Sequence, residues 1–317
     1  MSIKFGTGGW RAVIGDDFTR GNIQLLAQGL VNKMIQEGVE EKGIVMGYDR
    51  RFLSKEAVIW ACQILGKEGI HVQFVNRSAP TPLLMFYVMK HELDYGMMVT
   101  ASHNPAIYNG IKVFTYGGRD ADEIQTKDIE KWLLEAEKLY TPCHEEDGQM
   151  PPPSYTELVK QGIVEEINPM NEYLDNILSV INVDAIRKRD LRVAVDPMYG
   201  VSLTALSTTP ADLRAKSRRK RRVFGGKMPA PAEDTLKNLQ NYVLDRYCDI
   251  GIATDGDADR LGVIDDKGHY LHANQILVML YYYLLKYKGW RGDAVRNLAT
   301  THMLDKVAES FGQKCYE

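Results

Sequence analysis

Three aspartates at alternate positions carry the strongest chemical signal: Asp255, Asp257 and Asp259, within Thr254-Asp255-Gly256-Asp257-Ala258-Asp259-Arg260. Carboxylates this close repel one another unless a cation sits between them, and an all-oxygen set suits a hard ion such as magnesium. An EF-hand is the obvious rival, because its first three ligands share this spacing. It requires glycine at its sixth position and glutamate at its twelfth, where this chain has Arg260 and Asp266. The EF-hand reading therefore fails on the sharp turn. Arg260 beside an acidic loop makes better sense as a phosphate clamp. The plain structural alternative is a solvated acidic turn.

A second cluster is Thr100-Ala101-Ser102-His103-Asn104-Pro105, followed by Asn109-Gly110-Ile111-Lys112. It closes an apolar, strand-like run and so offers a hydroxyl at a strand's carboxyl end, where α/β sheets bind ligands. Pro105 restricts the backbone of Asn104 and favours a fixed turn. With His103 as a proton-transfer group and Lys112 as a nearby cation, Ser102 suits the carriage of a phosphoryl group. A serine hydrolase is disfavoured, since no G-x-S-x-G elbow surrounds Ser102. A third, weaker motif is Phe5-Gly6-Thr7-Gly8-Gly9-Trp10-Arg11. Its glycines would let backbone N–H groups approach an anion that Arg11 could neutralise. An acceptor hydroxyl, a metal cage and charge-spreading cations together make a phosphoryl-transfer kit.

The surrounding elements alternate. Ile23, Leu26, Ala27, Leu30 and Met34 recur at helical spacing before the strand-like Gly43–Asp49. A helix through Ala57, Val58, Ala61, Ile64 and Leu65, a strand His71–Val75, a helix Pro82–Leu93 and a strand Tyr95–Thr100 follow. Ile111–Thr115 and a helix from about Ala121 to Leu139 complete an α/β unit with a largely parallel sheet. Thr141–Ser154, with Pro151, Pro152 and Pro153, marks a boundary. Beyond it come strand Leu191–Asp196, helix Ala232–Tyr247, strand Asp249–Thr254 and a hairpin over Arg260–Leu271 turning at Asp266-Lys267-Gly268. A third unit opens with helix Ala273–Lys288, strand Val295–Thr300 and helix Met303–Phe311. The expected division is 1–150, 151–265 and 266–317, the last incomplete.

The chain has 317 residues, enough for two domains and part of a third, and an ordinary globular balance of 44% hydrophobic and 26% charged residues. Its net charge of -3 argues against general nucleic-acid affinity. The stretch Arg214–Arg222 is the exception, dense in Lys and Arg, and nothing apolar in Thr208–Arg222 recurs with a period of 2 or 3.6. No nucleic-acid partner is expected from it, because aromatic residues are not interleaved. Cys62, Cys143, Cys248 and Cys315 lie far apart, which fits neither a disulfide framework nor a zinc site. The start of the chain lacks the apolar run of a signal peptide, and no apolar stretch approaches the ~20 residues of a membrane span. A cytoplasmic protein without a membrane partner is expected.

The segments FGTGGWR, TASHNPAIYNGIKV and DGDADR resemble, in order and spacing, the phosphohexomutase superfamily, which includes phosphoglucomutase and phosphomannomutase. The resemblance implies consecutive α/β domains with mixed sheets covered by helices, the third incomplete and the fourth absent. It implies a phosphorylated Ser102, Mg2+ held by Ser102, Asp255, Asp257 and Asp259, and a proton-accepting Lys112 whose pKa neighbouring arginines lower. Arg11 and Arg260 would polarise the phosphoryl group, with His103 supporting the loop. The implied reaction interconverts hexose 1-phosphate and 6-phosphate, of glucose or mannose, through a hexose 1,6-bisphosphate. Two family loops, the sugar-reading Gly-Glu-x-Ser-Gly and the phosphate-binding Ser-Gly-Thr, do not occur in this sequence. Weak or no mutase activity is therefore expected of the chain as written. Thr208–Arg222 also departs from the family pattern, which Phe224–Pro229 resumes, as a reading-frame slip or a genuine insert would produce. Two other functions compete: an aspartyl-phosphate hydrolase of haloacid-dehalogenase type, and a non-catalytic phosphate-binding remnant with an RNA-attracting basic loop.

Overall fold

The computed structural model describes residues 3–6, 9–139, 151–206, 212–215 and 228–317. The first unit runs β1 (Trp10–Val13), α1 (Arg20–Glu37), β2 (Ile44–Tyr48), α2 (Ser54–Lys67), β3 (Val72–Val75) and α3 (Thr81–Lys90). It continues with β4 (Tyr95–Val99), β5 (Tyr108–Thr115), β6 (Arg119–Asp120) and α4 (Glu123–Leu139). α1 shows how the sequence writes these elements. The Thr19 side chain caps its start by accepting from the Asn22 N–H, and Gly38 ends it in the left-handed region. Ile23, Leu26, Ala27, Leu30 and Met34 form its wholly buried face.

α5 (Tyr155–Lys160), β7 (Val164–Ile167), α6 (Met170–Val180) and α7 (Val183–Lys188) lead into the second unit. That unit comprises β8 (Arg192–Asp196), α8 (Leu203–Leu206), β9 (Asp212–Ala215), α9 (Lys237–Asp245), β10 (Ile250–Thr254), β11 (Leu261–Ile264) and β12 (Tyr270–Leu271). α10 (Ala273–Lys286), β13 (Ala294–Val295), α11 (Met303–Ser310) and β14 (Cys315–Tyr316) complete the chain. No helix among the described residues is long and apolar enough to cross a membrane.

The first sheet has the order β1-β5-β4-β2-β3-β7, with β6 beside β5. Its centre is parallel, but β5 runs antiparallel to both β4 and β1, so the sheet is mixed rather than largely parallel. One face packs on α1, α2, α4 and α5, and the other on α3 and α6. The second sheet, β12-β11-β10-β8-β9, is also mixed, with α9 over one face. β13 and β14 pair only with each other among the described residues.

Several local expectations change. β7 pairs with β3 and β12 with β11, so the first sheet takes in residues up to Ile167 and the second up to Leu271. β9 lies within the stretch that shows no periodicity in sequence. An edge strand beside β8 needs only backbone hydrogen bonds, which leave no apolar signature. Residues 216–222 of the basic run lie outside the described residues, as do 140–150 of the boundary segment. The expected strand Val295–Thr300 is cut to its first residue, because the Asn297 side chain bonds the Ala299 N–H and the Thr300 hydroxyl in a turn.

Candidate active site

Three adjacent parallel strands of the first sheet deliver side chains to one edge. β4 ends into Thr100–Pro105, its neighbour β2 into Asp49–Arg51, and β3 leads through Pro80 to Thr81. β10 of the second sheet ends into Asp255–Arg260, and the two edges meet. This is the carboxyl-end geometry that marks binding crevices in α/β sheets.

The Ser102 hydroxyl donates to Asp255 Oδ2 at 2.8 Å, across 153 positions of sequence. Its oxygen also lies 3.2 Å from His103 Nδ1. Ser102 is buried and has φ 50°, a left-handed conformation that costs a non-glycine residue ~1–3 kcal/mol unless its surroundings impose it. The surroundings do so. The Ser102 N–H donates to Thr100 Oγ1 at 2.9 Å, and the Thr100 hydroxyl donates to Asp49 Oδ2 at 2.8 Å.

The aspartate loop is held as firmly. Asp255 Oδ1 accepts from the N–H groups of Asp259 and Arg260. Thr81 clamps Asp257 twice, its hydroxyl donating to Oδ2 at 2.7 Å and its N–H to the carbonyl at 2.9 Å. Gly200 lies beneath the loop, where a Cβ would meet the carbonyl oxygens of Asp255 and Gly256 at 2.6 Å. Lys112, from β5, pairs with Asp259 at 2.6 Å and Asp257 at 3.2 Å. The three carboxylates offer ligand atoms within 4.8 Å of one another, and Asp257 Oδ1 is buried with no hydrogen-bond donor among the described residues. A donor-free oxygen inside an all-carboxylate cluster fits a hard cation.

The electrostatics follow from this crowding. Burial pushes Asp255 up, to about 8, and the charges of Asp257 and Asp259 add to the rise. Burial also pushes Asp257 up, but Lys112 and the Thr81 hydroxyl outweigh it and hold the carboxyl low. Burial lowers His103, and the charges of Arg260 and Arg11 lower it further, favouring a neutral imidazole. Lys112 departs from expectation. Burial pulls it down, but Asp257 and Asp259 more than compensate, so its pKa is raised rather than lowered. The groups that set its pKa are the carboxylates around it, not the arginines expected to depress it.

Ser102, His103, Lys112, Asp255, Asp257 and Asp259 thus converge. Arg11 joins from β1, with Nη1 3.2 Å from Asn104 Oδ1 and a buried Nε that has no acceptor among the described residues. Arg260 sits at the exposed rim. The glycine motif behaves differently: the N–H groups of Gly6 and Gly9 each donate to the other's carbonyl, so they do not cradle an anion. Thr7 and Gly8 lie outside the described residues. Three residues of the site escape the sequence reading: Thr81, Asp49 and Arg51. Asp49 and Arg51 carry a usable signal, since charged residues just past an apolar strand obey the rule that marks Thr100.

With this geometry in hand, the class is defined by comparison. Residues 2–139 match the family model for phosphoglucomutase/phosphomannomutase alpha/beta/alpha domain I, and residues 171–268 match that for domain II. The chain belongs to the phosphoglucomutase/phosphomannomutase family. A phosphoglucomutase/phosphomannomutase of Thermococcus kodakarensis is 28% identical over 321 residues, covering 99% of this chain and 66% of the relative. A phosphoglucosamine mutase of Clostridium tetani is 29% identical, covering 91% and 61%. A solved structure from Thermus thermophilus, provisionally named a phosphomannomutase, superposes with a TM-score of 0.85 at 27% identity, covering 100% of this chain and 69% of that one. The chain spans slightly under two thirds of the length of the curated relatives it matches.

Proposed function

We propose that this chain carries the phosphoryl-transferring half of a phosphohexomutase, with Ser102 as phosphate carrier and a hexose 1- or 6-phosphate as substrate. Glucose and mannose phosphates are the first substrates to test, and an amino sugar phosphate extends the class. The observation that carries the reading is the Ser102–Asp255 hydrogen bond, which sets the acceptor hydroxyl on the carboxylate cluster.

Asp255, Asp257 and Asp259 would hold Mg2+ together with the Ser102 oxygen. When bound, the ion neutralises phosphoryl oxygens and the carboxylates that Lys112 now pairs with. Arg11 brings an unspent buried donor toward the Ser102 loop, and Arg260 adds charge at the mouth, as a phosphoryl group in flight requires. When Ser102 accepts a phosphoryl group, its oxygen bonds to phosphorus, the bond from phosphorus to the sugar oxygen breaks, and the proton lost by the serine is balanced by the one the departing sugar oxygen gains. Lys112, held protonated here, is in the state that returns a proton to a departing oxygen; in the opposite direction it must first lose one. His103, held neutral, supports the serine oxygen.

The test is a half-reaction. Incubation with glucose 1,6-bisphosphate and Mg2+ should add one acid-stable phosphate, localised by digestion to Ser102 and absent from Ser102→Ala. A hydroxylamine-labile acyl phosphate on Asp255 or Asp257 would instead establish an aspartyl-phosphate hydrolase.

A further inference from the structure

The Ser102 loop rests on a buried cation that the phosphoryl chemistry does not itself require. Arg51 Nη2 donates to the carbonyls of Ser102 at 2.6 Å and Asn104 at 2.7 Å. Its Nη1 donates to the carbonyls of Pro105 at 2.9 Å and Tyr108 at 3.0 Å. Asp49 Oδ2 lies 3.2 Å from Arg51 Nε, and both side chains are fully inaccessible to solvent. The same carboxylate accepts from the Arg51 N–H at 2.8 Å, the Ser54 hydroxyl at 2.9 Å and the Thr100 hydroxyl at 2.8 Å.

Burying an ion pair costs several kcal/mol per ion, and apolar packing of similar volume often serves stability equally well. The cost makes sense where the charge performs a geometric task. One planar fork gathers four carbonyls from the loop 102–108, whose first residue, Ser102, stands in the left-handed region. Four gathered carbonyl oxygens also present partial negative charge beneath a hydroxyl that would carry phosphate, and the guanidinium neutralises it. A lysine cannot replace it, because an ammonium is a compact point charge with three donors.

We infer that Arg51 is a positioning residue: it holds Ser102 in its left-handed conformation, so that the hydroxyl and the phosphate it accepts face the Asp255–Asp259 loop. This rests on the phosphoserine reading above, and the experiment separates the two.

The full chain is compared with Arg51→Lys and with a double variant, Asp49→Asn with Arg51→Met, which removes both buried charges and leaves neither stranded. For each, thermal unfolding, Mg2+ affinity by calorimetry with the metal alone, hydrogen exchange over residues 102–108, and phosphate uptake from glucose 1,6-bisphosphate are measured. In folded Arg51→Lys, uptake should fall about 100-fold, the scale set by misplacing a reacting group by an ångström. Mg2+ affinity should fall by no more than about ten-fold, since only the Ser102 oxygen among the four ligands is displaced while the aspartate loop stays held by Thr81 and its own backbone. Exchange should rise at least about ten-fold in residues 102–108 alone. Uptake at the parent rate in either folded variant overturns the inference. So does Mg2+ affinity falling in step with uptake, which is what general damage to the site would give. If the parent chain takes no phosphate, the phosphoserine reading fails. Exchange in residues 102–108 then decides for Arg51: local loss of protection supports it, and unchanged protection overturns it.

Discussion

The junction of the first two units and the last 45 residues are opposites in how they are held. At the junction, Ser102, Lys112, Asp255 and Asp257 are buried, and each is fixed by side chains from a distant part of the chain. Over residues 273–317, only Leu285, Leu304 and Ala308 are buried hydrophobics, while Leu277, Met279, Leu280, Tyr283, Tyr287 and Trp290 are exposed. Most buried polar groups at the junction have partners among the described residues, Asp257 Oδ1 and Arg11 Nε excepted, whereas in the last segment many large apolar side chains face solvent. Substitution should therefore damage function steeply at the junction and barely register in the last segment.

The largest break is Asp255→Asn. It removes a metal-facing charge and the acceptor of the Ser102 hydroxyl, so Mg2+ affinity should fall by more than the ~10–100-fold typical of changes in a site's outer shell. Calorimetric titration with Mg2+ reads this directly, and an unchanged affinity would remove the carboxylate cluster from the account. Thr81→Val comes next. It deletes a buried hydrogen bond to a charged acceptor at nearly constant shape, which costs about 1.5–3 kcal/mol. Thermal unfolding should register that loss, and Mg2+ affinity should drop about ten-fold, because the clamp on Asp257 orients a ligand.

A pH series sharpens the contrast further. Burial, with the charges of Asp257 and Asp259, raises Asp255 from 3.8 to about 8. A carboxyl raised on folding contributes stability that is complete below its unfolded value and is lost as pH rises through the folded value. The ion-free chain should therefore lose stability between about pH 4 and pH 8, and Asp255→Asn should flatten that slope. Asp257, held low, acts with the opposite sign, but only below its ordinary range. By the same linkage, Mg2+ binding near neutral pH should release up to about one proton, measurable by calorimetry in buffers of different ionisation enthalpy.

What the sequence discloses and hides follows the range of each interaction. α1 is legible because its buried face repeats within the helix itself. α9 is expected from Ala232 but starts at Lys237, because the Thr235 hydroxyl bonds the carbonyls of Ala230 and Ala232 and holds a turn there. β1 hides behind its glycines; Trp10–Val13 become a strand only by pairing with β5, about a hundred residues on. The serine and aspartate loops each advertise chemistry, yet nothing local says that they meet. Only the resemblance to a family implies it. Thr81 gives no warning at all, because its partner lies 176 positions away.

The smallest expected effect tests the other side of the comparison. Leu298 is 86% exposed, so Leu298→Gln exchanges solvent-facing apolar surface for polar surface and removes almost no packing. Its effect on stability should lie within about 0.5 kcal/mol, the range for surface sites away from special features. Mg2+ affinity should not change, because every side chain named in the site comes from residues 11–260. A larger loss of stability would mean that Leu298 is packed in solution, against another surface of the chain or a second copy. Concentration-dependent unfolding would separate those cases, since only association makes the midpoint depend on protein concentration.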